Sequence, residues 1–241
     1  MEPRMRRTTV HSVIDLSPHM RRIILSGEEL KDFPNDKKSA HVKAIFPNPN
    51  STEKLPKLGM YIGFKKWMHS YTVREFDKRN NQLTIDFAVH DHQGLACNWA
   101  ASAIPGDFLG IAGPGETKHA DLNAPRHLFF GDITALPAIA GTLKKLPSNA
   151  QGSAWTQVPE QSDKQVLHGP DGISINWQIT PNKLTKDFLL ALSSQPTDLR
   201  NAAIFIAAEA GIVRQFKSYL NAHCQYDKQK LYASAYWNQK K

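Results

Sequence analysis

The chain changes rhythm once, near Pro125, and that change restricts its fold more than any other feature. Before it, from Val10 to about Gly115, short runs of strand-forming residues end in turn residues. Residues 21–25 run into Ser26 and Gly27, 41–46 into Pro47-Asn48-Pro49-Asn50, and 69–76 into Asp77-Lys78-Arg79-Asn80-Asn81. Residues 83–89 and 108–112 read as further strands, and one helix is expected at 96–103, between Gly94 and Pro105-Gly106. Strands this short and closely spaced belong to an antiparallel sandwich or a small barrel. After Pro125 the pattern alternates. Strands are expected at 127–132, 154–158, 173–179, 203–207 and 231–236, with helices at 138–146, 183–192 and 211–223. Such alternation makes a parallel sheet with helices on its faces. Residues 51–66, rich in lysine and glycine, read as a loop insertion.

Composition removes several classes. No run approaches the ~18 uninterrupted apolar residues of a membrane span, so no insertion into a membrane is expected. The basic start, Met1 to Thr9, leads into no apolar segment with a cleavage site, so no signal peptide is expected. Cys97 and Cys224 lie far apart and outside any CxxC pair, which excludes a disulfide scaffold and makes a reducing cytoplasm the simplest setting. Thirty Lys and Arg against 22 Asp and Glu give a net charge of +8, which draws anions. Nucleic acid is not expected among them, because no zinc-finger spacing, RNP-like strand or dense Lys/Arg helix stripe is present. His90 and His92 share a strand face as a metal pair would, but no carboxylate–histidine cluster accompanies them and no metal site is expected.

A small β domain followed by a nucleotide-type α/β domain is the layout of a flavin reductase, and several junctions sharpen that reading. His69-Ser70-Tyr71-Thr72-Val73-Arg74 resembles the R-x-Y-T/S flavin signature of ferredoxin-reductase-like barrels. His90-Asp91-His92-Gln93-Gly94-Leu95-Ala96-Cys97-Asn98-Trp99-Ala100 resembles an H…G-P-A-x-x-W-A motif, and His41 to Pro47 mirrors H-x-K-L-x-F-P. Gly106-Asp107, Gly113-Pro114-Gly115, Gly131 to Ala138, Ala208-Glu209-Ala210 and Tyr236-Trp237 follow in order. On this ordered set the chain is identified as a member of the siderophore-interacting protein family of FAD-dependent ferric-siderophore reductases. The resemblance implies an N-terminal antiparallel six-stranded FAD-binding barrel over residues 1–118 and a C-terminal Rossmann-like, NAD(P)H-binding-like α/β domain over 119–241. It further implies a ferric siderophore as substrate and NAD(P)H as electron donor. A reduced acidic ferredoxin is the second choice of donor, suited to the +8 charge. A flavin or ferric-chelate carrier without turnover is the other reading.

The resemblance assigns FAD contacts to His69, Ser70, Tyr71, Thr72, Arg74, Ala88, Val89, His90, Gly94, Leu95, Ala96, Cys97, Asp132, Thr134, Ala135 and Trp237. The residue types fit. A tyrosine can stack on a flat ring, a threonine can hydrogen-bond its polar edge, and an arginine can bind phosphate. The family's first-position arginine is His69 here, partly charged near neutral pH, which would leave Arg74 more of the phosphate. Gly94-Leu95-Ala96-Cys97 opens a helix whose free N–H groups suit a pyrophosphate, with Gly94 permitting close approach and Ala96 keeping it uncrowded. Cys97 reads as a packing residue. Lys43 is assigned to an anionic ferric siderophore, with Lys118 a weaker second. Electron transfer by FAD requires no acid–base residue, so no catalytic side chain is expected. Glu209 reads equally as a ligand-edge acid or a helix-start acid, and Arg214 and Lys217 on the next helix as a docking face or a solvated one.

Overall fold

Alternation of enclosed and exposed side chains builds the first half. The computed structural model describes residues 5–35, 40–47, 67–89, 94–115, 121–180 and 186–238. The insertion at 51–66, His90, His92, Lys118 and the start of the helix expected from Lys183 lie outside the described residues. Strands β1 (Met5–Ser17), β2 (Met20–Ser26), β3 (His41–Ile45), β4 (Met68–Asp77), β5 (Gln82–Ala88) and β6 (Phe108–Ala112) close an antiparallel barrel in the order β1-β2-β5-β4-β3-β6. The six-stranded barrel is as expected. Its interior takes every second residue: Ile23 and Leu25 of β2, Val42 and Ala44 of β3, Leu83, Ile85 and Phe87 of β5, Leu109 and Ile111 of β6. Each large apolar side chain enclosed this way contributes about 1.5–3 kcal/mol. Helix α1 (Leu95–Ser102) lies between β5 and β6 and sends Ala96, Ala100 and Trp99 into the same core.

β1, which precedes the first strand expected at 21–25, begins at Met5, and its first two inward residues are polar while Val10 joins the apolar core. Arg6 is 2% exposed. Its Nε donates to Asp32 at 2.6 Å, its Nη1 to the Gly113 carbonyl, and the guanidinium lies 5.5 Å from the Phe33 ring centre. The Thr8 hydroxyl donates to the Leu109 carbonyl at 2.6 Å.

In the second half, β7 (Arg126–Asp132), β8 (Gln151–Val158), β9 (Ile173–Ile179), β11 (Ala202–Glu209) and β13 (Leu231–Trp237) form a parallel sheet in the order β13-β11-β7-β8-β9. The two-residue strands β10 (Asp198–Leu199) and β12 (Gln225–Tyr226) pair separately. α2 (Leu136–Leu143) packs on one face, α3 (Lys186–Ser193) and α4 (Ala210–His223) on the other. Strand order reverses between β7 and β11, the place where open α/β sheets gather ligands at their carboxyl edge. α2 starts two residues earlier than expected, because Pro137 has no N–H to lose in a first turn. The turn before it is tight: a Cβ on Gly131 would stand 2.7 Å from both Ala135 Cβ and Ile139 Cδ1. Gly152, at φ +148, is equally fixed, since its Cβ would meet the His127 carbonyl oxygen.

The α3 side of the outer strands is unusually polar. Ser153, Trp155 and Gln157 share that face of β8, opposite Ser174, Asn176 and Gln178 of β9. Ser153 Oγ, Trp155 Nε1 and Gln157 Oε1 are enclosed there without a hydrogen-bond partner. Contact clustering divides the chain into Met1–Thr117 and Lys118–Lys241. Among the described residues no helix is long and apolar enough to cross a membrane.

Candidate functional site

The start of β4 carries the flavin-like signature, and the strand splits it between two faces. Tyr71 and Val73 turn to the barrel core, while Ser70, Thr72 and Arg74 turn outward. The Tyr71 ring is partly enclosed, 4.4 Å from the Phe87 ring centre and 6.2 Å from that of Phe46. Trp99 of α1 closes the same aromatic wall at 5.4 Å from Phe46 and 5.8 Å from Phe87. Val89 and Leu95 join Tyr71 on the partly exposed rim of this core. Burial, and then the nearby Cys97, push the Tyr71 phenol above its ordinary pKa, so it stays neutral. The rim therefore offers an uncharged, apolar, aromatic surface to a flat ring. Ala88 ends β5 and pairs with Met20, just before it.

Gly94 caps α1 with no side-chain bond, and the first turn holds no acidic residue. Among the described residues nothing lies within 4 Å of the place a Gly94 Cβ would take. Its backbone is extended, so the glycine matters for open space and not for conformation. The first turn thus has neither a side-chain cap nor an acid, the kind of helix start that holds phosphate elsewhere. Ala96 differs from expectation: its side chain packs into the barrel core, leaving only its backbone for an anion. Flat aromatic rim and a helix start without side-chain cap or acid together fit the two demands of FAD, a ring and a pyrophosphate.

The outer barrel face carries the cations. Lys43 is exposed on β3, with His41 on its side and Val42 inward as the alternation required, and its Nζ donates to Ser70 Oγ at 2.5 Å. His69 sits beside them. Burial, and next the charge of Lys43, lower its pKa from the ordinary imidazole value, which favours the neutral ring. Arg74 Nε lies 3.7 Å from Asp86 Oδ2. Arg22 grips the same enclosed carboxylate at 2.7 and 2.9 Å, and that bond holds the Arg22 pKa up. Thr72 is 6% exposed on this outer side.

In the second half, Asp132, Thr134 and Trp237 form one cluster at the switch point. Asp132 Oδ1 accepts from Thr134 N at 2.9 Å and Thr134 Oγ1 at 2.5 Å; Oδ2 accepts from Glu209 N at 3.1 Å and Trp237 Nε1 at 2.8 Å. The carboxyl ends of β7, β11 and β13 are tied by one carboxylate. Burial raises its pKa against the pull of these four donors. Both oxygens are thereby committed within the sheet, and Ala135 is fully enclosed beside Gly131. Glu209 resolves to a helix cap, accepting from Gly211 N at 2.5 Å and Ile212 N at 3.3 Å. Arg214 and Lys217 are exposed on α4.

Sequence reasoning missed Arg21, whose guanidinium reaches α1, and the aromatic wall of Phe46, Phe87 and Trp99. The signal for Arg21 was present: period-two alternation puts it on the side of Ile23 and Leu25, where an arginine needs a partner. The wall draws its rings from β5, from α1 and from the residue after β3, a grouping that no local pattern encodes.

Residues 9–118 match the siderophore-interacting FAD-binding domain, and residues 124–240 match the siderophore-interacting protein family. The chain is 32% identical over 234 residues to the ferric vibriobactin reductase ViuB of Vibrio cholerae, covering 94% of this chain and 86% of that one. It is also 32% identical over 245 residues to the NADPH-dependent ferric-chelate reductase of Escherichia coli K12, covering 98% and 94%. The crystal structure of the siderophore-interacting protein SipS from Aeromonas hydrophila is similar at a TM-score of 0.85 and 31% identity, covering 99% of this chain and 93% of that one. A siderophore utilization protein from T. fusca is similar at 0.80 and 28%, covering 99% and 94%.

Proposed function

The chain belongs to the siderophore-interacting protein family, and from that premise we propose that it is an FAD-dependent reductase of siderophore-bound ferric iron. The observation that carries the reading is the pairing, on one barrel, of an α1 start without side-chain cap or acid with the partly exposed Tyr71 rim. When bound, FAD supplies the electrons that take chelated Fe(III) to Fe(II), one per iron. Tyr71, Val89 and Leu95 would bear the ring, and the N–H groups of Leu95, Ala96 and Cys97 the pyrophosphate. Lys43 would meet the anionic chelate on the outer face of β3. After reduction the lower iron charge weakens its attraction to hard oxygen ligands, which favours release.

NAD(P)H is the proposed donor, supported by the name of the E. coli relative and by the Rossmann-like strand order of the second half. An acidic ferredoxin is the alternative, and exposed Arg214 and Lys217 would suit either. An absorbance spectrum of the purified protein tests the cofactor. Anaerobic addition of NADH, NADPH and reduced ferredoxin separately, followed by a ferric chelate, tests the rest. Bleaching by one donor and recovery of the yellow colour on adding the chelate is expected. A flavin spectrum that no donor bleaches would leave a carrier, and no flavin in a protein reconstituted with FAD would reject the reading.

A further inference from the structure

β2 turns Arg21 toward the barrel interior, on the face of the fully enclosed Ile23 and Leu25. The side chain leaves that interior by reaching the end of α1. Its Nη1 donates to the carbonyls of Ala100 at 2.7 Å and Ala101 at 2.6 Å, and its Nε to Asp15 at 2.6 Å. A helix leaves its last four carbonyls without partners and carries partial negative charge there. α1 has no basic residue of its own in the last turn, so a cation from another strand takes two of those carbonyls. The opposite end is treated in reverse. Its cap makes no side-chain bond, and its first turn is without acid. One pole of α1 is closed by protein charge, and the first turn at the other carries no charged side chain.

We propose that Arg21 is a positioning residue for FAD: by fixing the carboxyl end of α1, it holds the first-turn N–H groups in the place the pyrophosphate requires. The inference rests on the flavoprotein reading above and names a residue that reading does not use. An eight-residue helix is well below the ~12–15 residues at which an isolated helix becomes marginal in water. α1 therefore persists through its anchors: Ala96, Ala100 and Trp99 in the core, and Arg21 at its end. Removing the last anchor lets the helix populate frayed states, and apparent affinity falls with the fraction that remains competent. A ligand that does not use the helix terminus is spared.

The test uses full-length apo-protein, wild type beside Arg21→Met and Arg21→Lys, each titrated with FAD and with riboflavin, which has the same ring system and no phosphate. Circular dichroism and thermal midpoint of the apo forms report folding. Arg21→Met is expected to weaken FAD about five- to tenfold, with riboflavin affinity held within about twofold. Arg21→Lys, which keeps the charge but reaches one carbonyl in place of two, is expected to lose about threefold for FAD alone. If Arg21→Met does not fold, the Arg21→Lys comparison decides. Equal weakening of both flavins would mean a general disturbance of the barrel and would overturn the proposal, as would unchanged FAD affinity in the folded variants. A wild-type protein that takes up neither flavin would reject the flavoprotein reading itself, an outcome separate from these.

Discussion

Tyr71 is held by its neighbours before any ligand arrives, since one side of its ring leans on Phe87. An aromatic stack is worth about 0.5–1.5 kcal/mol beyond burial, so Tyr71→Ala should weaken FAD by roughly two- to tenfold. The ratio of flavin to protein absorbance after gel filtration measures this, and full occupancy would detach the residue from the cofactor. His69 offers a second test. Its pKa lies below the ordinary imidazole value, so it gains a proton only as pH falls under ~6.5. If it meets the pyrophosphate, FAD affinity in the wild type should be flat from pH 7 to 9 and rise in acid. His69→Arg should bind FAD several-fold tighter at pH 8 and lose the acid rise, because a guanidinium keeps its charge throughout. Titrations of apo-protein at pH 5.5 and 8 read both, and identical profiles would place His69 away from phosphate.

Among the elements, β7 and β8 contain groups that the fold encloses at a cost. His127 is buried with its pKa lowered, chiefly by desolvation. A histidine whose folded pKa is depressed lends stability above its unfolded value near 6.5 and withdraws it as pH falls through the lower folded value. The thermal midpoint should therefore drop between pH 7 and 5, and His127→Phe, stacked on Phe129, should flatten that slope. Ser153 of β8 has a hydroxyl with no partner, so Ser153→Ala should leave stability unchanged or raise it by up to about 1 kcal/mol in urea unfolding. The sequence made the alternating strands and the sheet–helix rhythm legible because their apolar residues recur at the right period. It hid the start of β1, where the inward positions are Arg6 and Thr8 and the apolar signal begins only at Val10. The signature around Tyr71 was readable as a local string. The Asp132 hub, which joins three strand ends through donors 2, 77 and 105 residues away, was not.

For the whole molecule, charge decides which ligands are drawn in. If the substrate is the anionic ferric chelate proposed above, a chain of net charge +8 attracts it from a distance, and salt screens that attraction with a Debye length of ~10 Å at 0.1 M. Raising ionic strength from about 20 to 500 mM should lower kcat/KM for a ferric triscatecholate several-fold and leave a neutral ferric hydroxamate nearly unaffected. Lys43→Ala should reduce the difference; because the lysine is exposed, its own share is only a few-fold. Equal salt dependence for both chelates would count against electrostatic recognition. Closure of the barrel has a consequence in time. Met5 to Thr9 pair with Phe108 to Ala112, so the first strand to leave the ribosome must wait for a partner synthesised about a hundred residues later. At roughly 5–20 residues per second the wait is on the order of 5 to 20 seconds. During that interval one flank of β1 is an open edge in a crowded cell. Arg6 and Arg7 keep it hydrated and discourage stray pairing, until the nascent chain delivers Asp32 and finally Gly113 to take up the Arg6 guanidinium.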